Sequence, residues 1–390
     1  MTGGPLRRLQ ELATELGHHP AALVRERRRR RIWRAACQSA INNCQRASVL
    51  RPAERVTSRE RSEVCRSLSD LDTRPEEYLC AGRLDGGPEE LLLTARRVYL
   101  GKTTEVARAL PDRQIRMIGS WCFLDHYGPE DVSGSAGMQV WAHPHTGLQT
   151  VSWLFNGEIE HRDSLGSRAM VRPGELNIMT AGHGIVHSEI SQPDKPPMLH
   201  GVQLWVALPD AVRDRNPAFE SYADLPDLIQ PGLRGKVLIG EVAGVNSPAL
   251  AYSPLCGAEL SLEAGADVSL AVDEGFEFGI FVVAGGIVVE SATVGVDQLL
   301  YLGDGRRNIH LRSPYGGRAI MLGGQPFTEE MVMWWNFIGR SHEEIVEFRS
   351  AWERRDPRFP PILSRSEKVM EAPPMPTVPL KPRPRRSRAE

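Results

Sequence analysis

The amino-acid sequence predicts an all-β protein, two β-barrels of similar build in series, with helix confined to an N-terminal extension and a short C-terminal element. Three observations predict it. A chain of 390 residues with 41% hydrophobic content exceeds the ~100–200 residues of one domain and can bury two cores. From about Pro88 onward, short apolar or alternating runs are punctuated by Gly, Pro and Asn, the texture of a β-sandwich or barrel. After a charged, Pro-rich interval the same succession of short strands and glycine turns starts again.

Residues 1–84 are an Arg-rich extension. Its stretches LRRLQELATEL and AALVRERRRRRIWRAACQSAI favour helix over strand through their Ala, Leu, Arg and Glu content. The run Arg27 to Arg31 has the composition of a nucleic-acid or acidic-partner patch. The whole chain, however, contains only five lysines, so Arg is its ordinary base and the run reads as a solvated basic extension, partly helical or disordered. Residues 85–209 form the first barrel, with Asn156-Gly157 between QTVSWLF and EIEHRDS fitting a two-residue type I′ hairpin turn. That pairing sets His161 and Asp163 on the face shared with Ser152, Leu154 and Ile159. Residues 210–235 read as a linker. Residues 236–355 form the second barrel and a closing helix within WWNFIGRSHEEIVEFRSAWERRD, where Ser341 is the N-cap and Glu344 completes a capping box. Residues 356–390 are a Pro- and Arg-rich tail, expected to be disordered from about Ala372.

Charge and cysteine usage narrow the function classes. The net charge is only -2, with 25% charged residues, which calls for neither nucleic acid nor a membrane surface. The distribution is uneven: residues 1–74 hold sixteen Arg against eight acidic residues, so the remaining chain is acidic. No apolar run of membrane-spanning length and no secretory h-region occurs, which predicts a cytoplasmic protein. The six cysteines include no CxxC pair and are too sparse for a disulfide scaffold. They read as reduced thiols.

Histidine carries the chemistry. Six of the eleven histidines, at 126, 143, 145, 161, 183 and 187, fall within 62 residues. Residues two apart in a strand share a face, so His143-x-His145 presents two imidazoles together, and His187-x-Glu189 an imidazole and a carboxylate. Three His and one Glu suit a first-row metal, Fe, Ni, Cu or Zn, with positions left open for chemistry. His161-x-Asp163 obeys the same strand logic and competes as a ligand pair. The second barrel offers His310 alone between residues 236 and 325.

The stretches HPHTGLQTVSW, GEIEHRDSLGS, RPGELNIMTAGHGIVHSE and HGVQLWVALP, with WWNFIGRSHEEI later, resemble the successive blocks of the pirin family, over roughly residues 85–355. The first also resembles the leading cupin motif. The resemblance implies two cupin-type barrels, a bicupin, of which only the N-terminal one holds metal, usually iron. Position by position it places the ligands on His143, His145, His187 and Glu189, and gives His161 and Asp163 a supporting role beside them. Two departures stand out: Gln149 occupies a position that is glutamate in many pirins and the carboxylate ligand in typical cupins, and His183 stands where the family commonly has Arg in TAGRG.

The resemblance further implies one of two activities. One is a quercetin (flavonol) 2,3-dioxygenase that uses Fe(II) or another divalent metal and O2. In it Glu189 takes the proton of the flavonol 3-hydroxyl, and Trp153, Phe155, Met138, Trp141 and Trp205 are available to line an apolar cavity. The other is a metal- and redox-dependent regulatory protein that binds a transcription factor or metabolic enzyme.

Overall fold

The computed structural model describes residues 89–100, 104–362 and 368–382, so the expected helical extension over residues 1–84 lies outside the described residues. Strands dominate, with one helix, His342–Glu353, among the described residues.

Each barrel pairs a seven-stranded sheet with a four-stranded sheet, and the two barrels repeat this plan. In the first, the large sheet runs in the order Ala218–Tyr222, Leu176–Thr180, Leu148–Asn156, Met198–Ala207, Trp121–Asp131, Thr104–Leu110, Arg96–Leu100. Its small sheet runs Gln139–His145, Ile185–Ile190, Ile159–Asp163, Arg168–Val171. In the second, the large sheet runs Glu90–Thr94, Gln298–Leu302, Glu277–Gly285, Gly317–Gly324, Leu255–Leu262, Leu233–Ile239, Asp227–Gln230. Its small sheet runs Ala266–Ala271, Asn308–Ser313, Ile287–Val289, Ala292–Val294.

Strand texture follows from what covers each sheet. Leu148–Asn156 and Met198–Ala207 are buried almost end to end because protein covers both faces. Ala266–Ala271 alternates strictly between buried and exposed, since one face meets solvent. Side chains of the two large sheets meet in one core, where Trp121, Trp153 and Phe155 of the first barrel join Phe281, Tyr301 and Ile320 of the second. Trp121 donates from Nε1 to Cys256 O at 3.0 Å across that interface. The approach is close enough that a Cβ on Gly279 would stand 2.3 Å from Ile118 Cδ1, so a larger residue there requires the Ile118 side chain to shift.

Several expectations are corrected. The barrels exchange edge strands: Glu90–Thr94, expected in the first barrel, pairs with Gln298–Leu302 of the second. Residues 210–235 are not a plain linker, because Ala218–Tyr222 covers the edge strand Leu176–Thr180 of the first barrel and Asp227–Gln230 pairs within the second. Each exchanged strand satisfies backbone groups that an open edge would leave unpaired.

The Asn156-Gly157 hairpin does not form. Leu148–Asn156 pairs with Met198–Ala207 and Leu176–Thr180, whereas Ile159–Asp163 pairs with Ile185–Ile190 and Arg168–Val171. The dipeptide is instead a corner where the chain passes from the large sheet to the small one. Only Gly157, at φ +88°, takes the left-handed conformation that a type I′ turn needs at both positions.

At the C-terminus, Ser341 caps the helix by accepting from Glu344 N–H at 3.3 Å. The preceding Val332–Trp334 and Phe337–Gly339 form a small hairpin rather than helix. The Glu344 carboxylate accepts from Arg340 N–H and from both arms of Arg213, not from the cap residue itself. Finally, residues 368–382 of the tail are docked: Val369 forms a parallel bridge with Ala142 of the first barrel, and Pro373 and Leu380 bond to Arg349 and His342 of the closing helix.

Candidate metal centre

The small sheet of the first barrel builds the centre through its register. His187 stands opposite His143 on one side and opposite Asp163 on the other. The pairing with Ile159–Asp163 continues in regular register and sets Glu189 beside His161, while a bulge on the other side shifts Glu189 to stand opposite Val140. His145 belongs to the same strand face as His143. The outcome is two overlapping groups whose ligand atoms lie within 4.8 Å of one another, His143 with His145 and His187, and His161 with His187 and Glu189.

The histidines are presented in a ligating tautomer. His143 Nδ1 lies 2.7 Å from Trp141 O and His145 Nδ1 lies 3.0 Å from Asn336 O. A carbonyl only accepts, so both Nδ1 atoms carry the proton and both Nε2 atoms present lone pairs. His145 Nε2 and His187 Nε2 are 3.1 Å apart, close to the ~3 Å that two nitrogens at ~2.1 Å from one ion would keep at right angles. His187 Nδ1 is buried without a hydrogen-bond partner.

Burial sets the charge states. It lowers the His143 imidazole to about 4 against the Trp141 carbonyl that opposes the shift, and the charge of His161 lowers it further. His145 and His187 fall well below the ordinary range, by burial first and then by the neighbouring imidazoles. Three neutral imidazoles therefore converge where three cations would repel. Burial pushes the Glu189 carboxyl up, opposed by His161 and by Ser152, whose Oγ lies 3.1 Å from Glu189 Oε1. Asp163 is also desolvated, yet its bond to His161 at 3.2 Å and its bonds from Ser167 leave it below the usual carboxylate range. Glu189 and Asp163 thus flank His161 as an elevated and a depressed carboxyl, which suits proton exchange at one and anchoring at the other.

Around the ligands lies a cavity of about 810 Å³. Trp141 and Trp205 line it, with Phe123 stacked on Trp205 at 4.0 Å between ring centres. The other expected lining residues go elsewhere. Trp153 donates from Nε1 to Glu259 Oε2 of the second barrel at 2.7 Å, Phe155 packs in the same inter-barrel core, and Met138 joins a cluster with Tyr127 and Leu154. Strand alternation and sheet identity decide this, since Leu148–Asn156 lies in the large sheet and turns Trp153 and Phe155 toward the other barrel.

Gln149 is wholly buried, donates to Thr180 Oγ1 at 3.0 Å, and is not among the residues lining the cavity. His183 is partly exposed, held by its backbone N–H on Arg215 O at 3.0 Å, and joins neither ligand group. His161 stands nearer the centre than a merely supporting neighbour, sharing a ligand group with His187 and Glu189 and stacked on Phe219 at 4.3 Å. Sequence reading missed Asn336, Gln203 and the tail residues beside the cavity, because they arrive from distant strands and from segments with no chemical motif.

Comparison with known proteins agrees with this architecture. The Pirin family profile matches residues 103–206, and the Pirin C-terminal cupin domain matches residues 257–359. A Pseudomonas aeruginosa protein named "Putative quercetin 2,3-dioxygenase" is 45% identical over 284 residues, 73% of this chain and 90% of that protein. A crystal structure of quercetin 2,3-dioxygenase from Acinetobacter baumannii is 38% identical with a TM-score of 0.72, covering 74% of this chain and 96% of that one. An Escherichia coli pirin solved in complex with nickel(II) shares the fold at 18% identity and a TM-score of 0.50, covering 61% of this chain and 100% of its own. Two matched domains, two barrels of the same plan and a buried histidine cluster in the first make this chain a member of the pirin family.

Proposed function

We propose that the chain binds one Fe(II) through His143, His145, His187 and Glu189 and opens flavonols with O2 as a quercetin 2,3-dioxygenase. The observation that carries this reading is the convergence of three buried imidazoles, two of them locked with Nε2 free, on a carboxyl-bearing cavity walled by Trp141 and Trp205. The names of the Pseudomonas and Acinetobacter relatives support it.

The bound metal supplies Lewis acidity toward a phenolic oxygen and redox chemistry toward O2. The protein's part is positioning and proton handling. Trp141 and Trp205 hold a flat ring system in an apolar slot that excludes water. Glu189, raised by burial, is basic enough to accept the proton of an acidified 3-hydroxyl. Ser152 and His161 stay beside it and hold its carboxylate in place.

The test is metal analysis of purified protein with an aerobic quercetin assay. About one iron per chain and quercetin loss with carbon monoxide release are expected. In Glu189→Gln, kcat falls by roughly 10²-fold or more; unchanged turnover in that variant sinks the mechanism. Iron without flavonol consumption, together with oxidation-dependent capture of a protein partner, would favour a regulatory role instead.

A further inference from the structure

Beyond the second barrel, residues 368–371 form part of the wall of the metal cavity. Ala142 N–H donates to Lys368 O at 3.0 Å and Met370 N–H donates to Ala142 O at 2.8 Å, so this segment lies alongside the ligand strand next to Trp141 and His143. It is anchored along its length. Trp352 Nε1–H donates to Met370 O at 3.0 Å, Arg349 Nε–H to Pro373 O at 2.6 Å, and Leu380 N–H to His342 Nδ1 at 3.1 Å. Met375 and Leu380 pack against the cluster containing Phe337 and Phe348. The match to the family's C-terminal domain ends at residue 359, so this wall comes from chain outside that domain.

Lys368 is the feature that gives the wall a chemical preference. Its Nζ lies 4.7 Å from the centre of the Trp141 ring, a cation on the face of a cavity-lining aromatic. Among the described residues lining the cavity it is the one Lys or Arg, against the carboxyls of Glu189 and Glu371. No carboxylate pairs with it among the described residues, so its N–H donors remain available. A flat aromatic molecule bound in this cavity shares its wall with the ammonium, which can pair with an anionic group the molecule carries.

We propose that Lys368 is a specificity-determining residue of the metal cavity, selecting planar aromatic substrates that carry an anionic group at the end remote from the histidines. This rests on reading the cavity as the substrate site. The probes are 3-hydroxyflavone, which has no remote charge, and a sulfonated 3-hydroxyflavone, bound anaerobically to the full-length metal-loaded protein and followed by quenching of tryptophan fluorescence. The wild-type protein prefers the sulfonated probe, and added salt erodes that preference. Lys368→Met weakens the sulfonated probe about tenfold and the neutral one less than twofold, while Lys368→Arg keeps most of the preference. Equal effects on both probes, no effect on either, or a wild-type protein that does not distinguish them overturns the proposal. Binding with the stated preference but without aerobic turnover overturns the dioxygenase reading and leaves the role of Lys368 standing.

Discussion

The two barrels share a frame and differ in what their small sheets carry. In the first, His143, His145 and His187 project into a buried cavity, and the register with Ile159–Asp163 sets Glu189 beside His161. In the second, the lone His310 lies on the outer face, half-exposed, with Nε2 on Asp267 at 2.6 Å. Its cavity of about 520 Å³ is lined by Cys256, Phe278 and Met321 among others, with no imidazole. The difference teaches that the barrel alone does not make a metal centre. Inward-facing imidazoles are needed, and so are partners that fix their tautomers: His145 is oriented by Asn336 O, from the hairpin that follows the second barrel. The hairpin after the second barrel thus contributes directly to the histidine cluster of the first.

The largest expected break in this contrast comes from the histidines. His187→Ala should reduce iron from about one per chain to below a tenth, while His310→Ala leaves it unchanged, as read by metal analysis of both variants after identical loading. Equal loss in the two would remove the distinction between the barrels.

Acid should expose the same asymmetry in metal-free protein. Burial first, with neighbouring charges adding, holds His143 and His200 near about 4, below the ~6.5 of an unfolded histidine. The unfolded chain takes up these protons at higher pH than the folded one, so stability present above pH ~6.5 is lost as pH falls toward ~4. The melting temperature should drop by roughly 5 to 10 °C between pH 7 and pH 5, and His200→Gln should lessen the drop.

A smaller effect tests the interface. Trp153→Phe removes the donor to Glu259, which keeps Arg318 as partner. A loss of about 2 kcal/mol in denaturant unfolding is expected, with iron content unaltered, because Trp153 faces the second barrel and not the cavity.

The smallest sharpens a likeness between the barrels. Each has one buried thiol, Cys122 and Cys256, pushed up to about 12 chiefly by burial. Neither should react with iodoacetamide at pH 8 in the native protein, and both should react after unfolding, as read by peptide mass spectrometry.

Local pattern determined much by itself. Short alternating runs bounded by Gly and Pro announced the two barrels, and the i, i+2 spacing of His143 with His145 and of His187 with Glu189 put each pair on one face of a strand. The capped helix after Ser341 was equally legible, since a cap is a contact among near neighbours. Only the tertiary structure decided what depends on which strands lie side by side. Asn156-Gly157 has the composition of a hairpin turn, yet the two strands it joins enter different sheets, and that choice sends Trp153 to the inter-barrel core and His161 to Glu189. Strand exchange at the barrel edges, the orientation of His145 by Asn336 and the docking of Lys368 beside Trp141 are likewise contacts between distant segments. Side-chain periodicity records which way a residue points along its own strand, but the free energy that selects its neighbours comes from long-range pairing and packing.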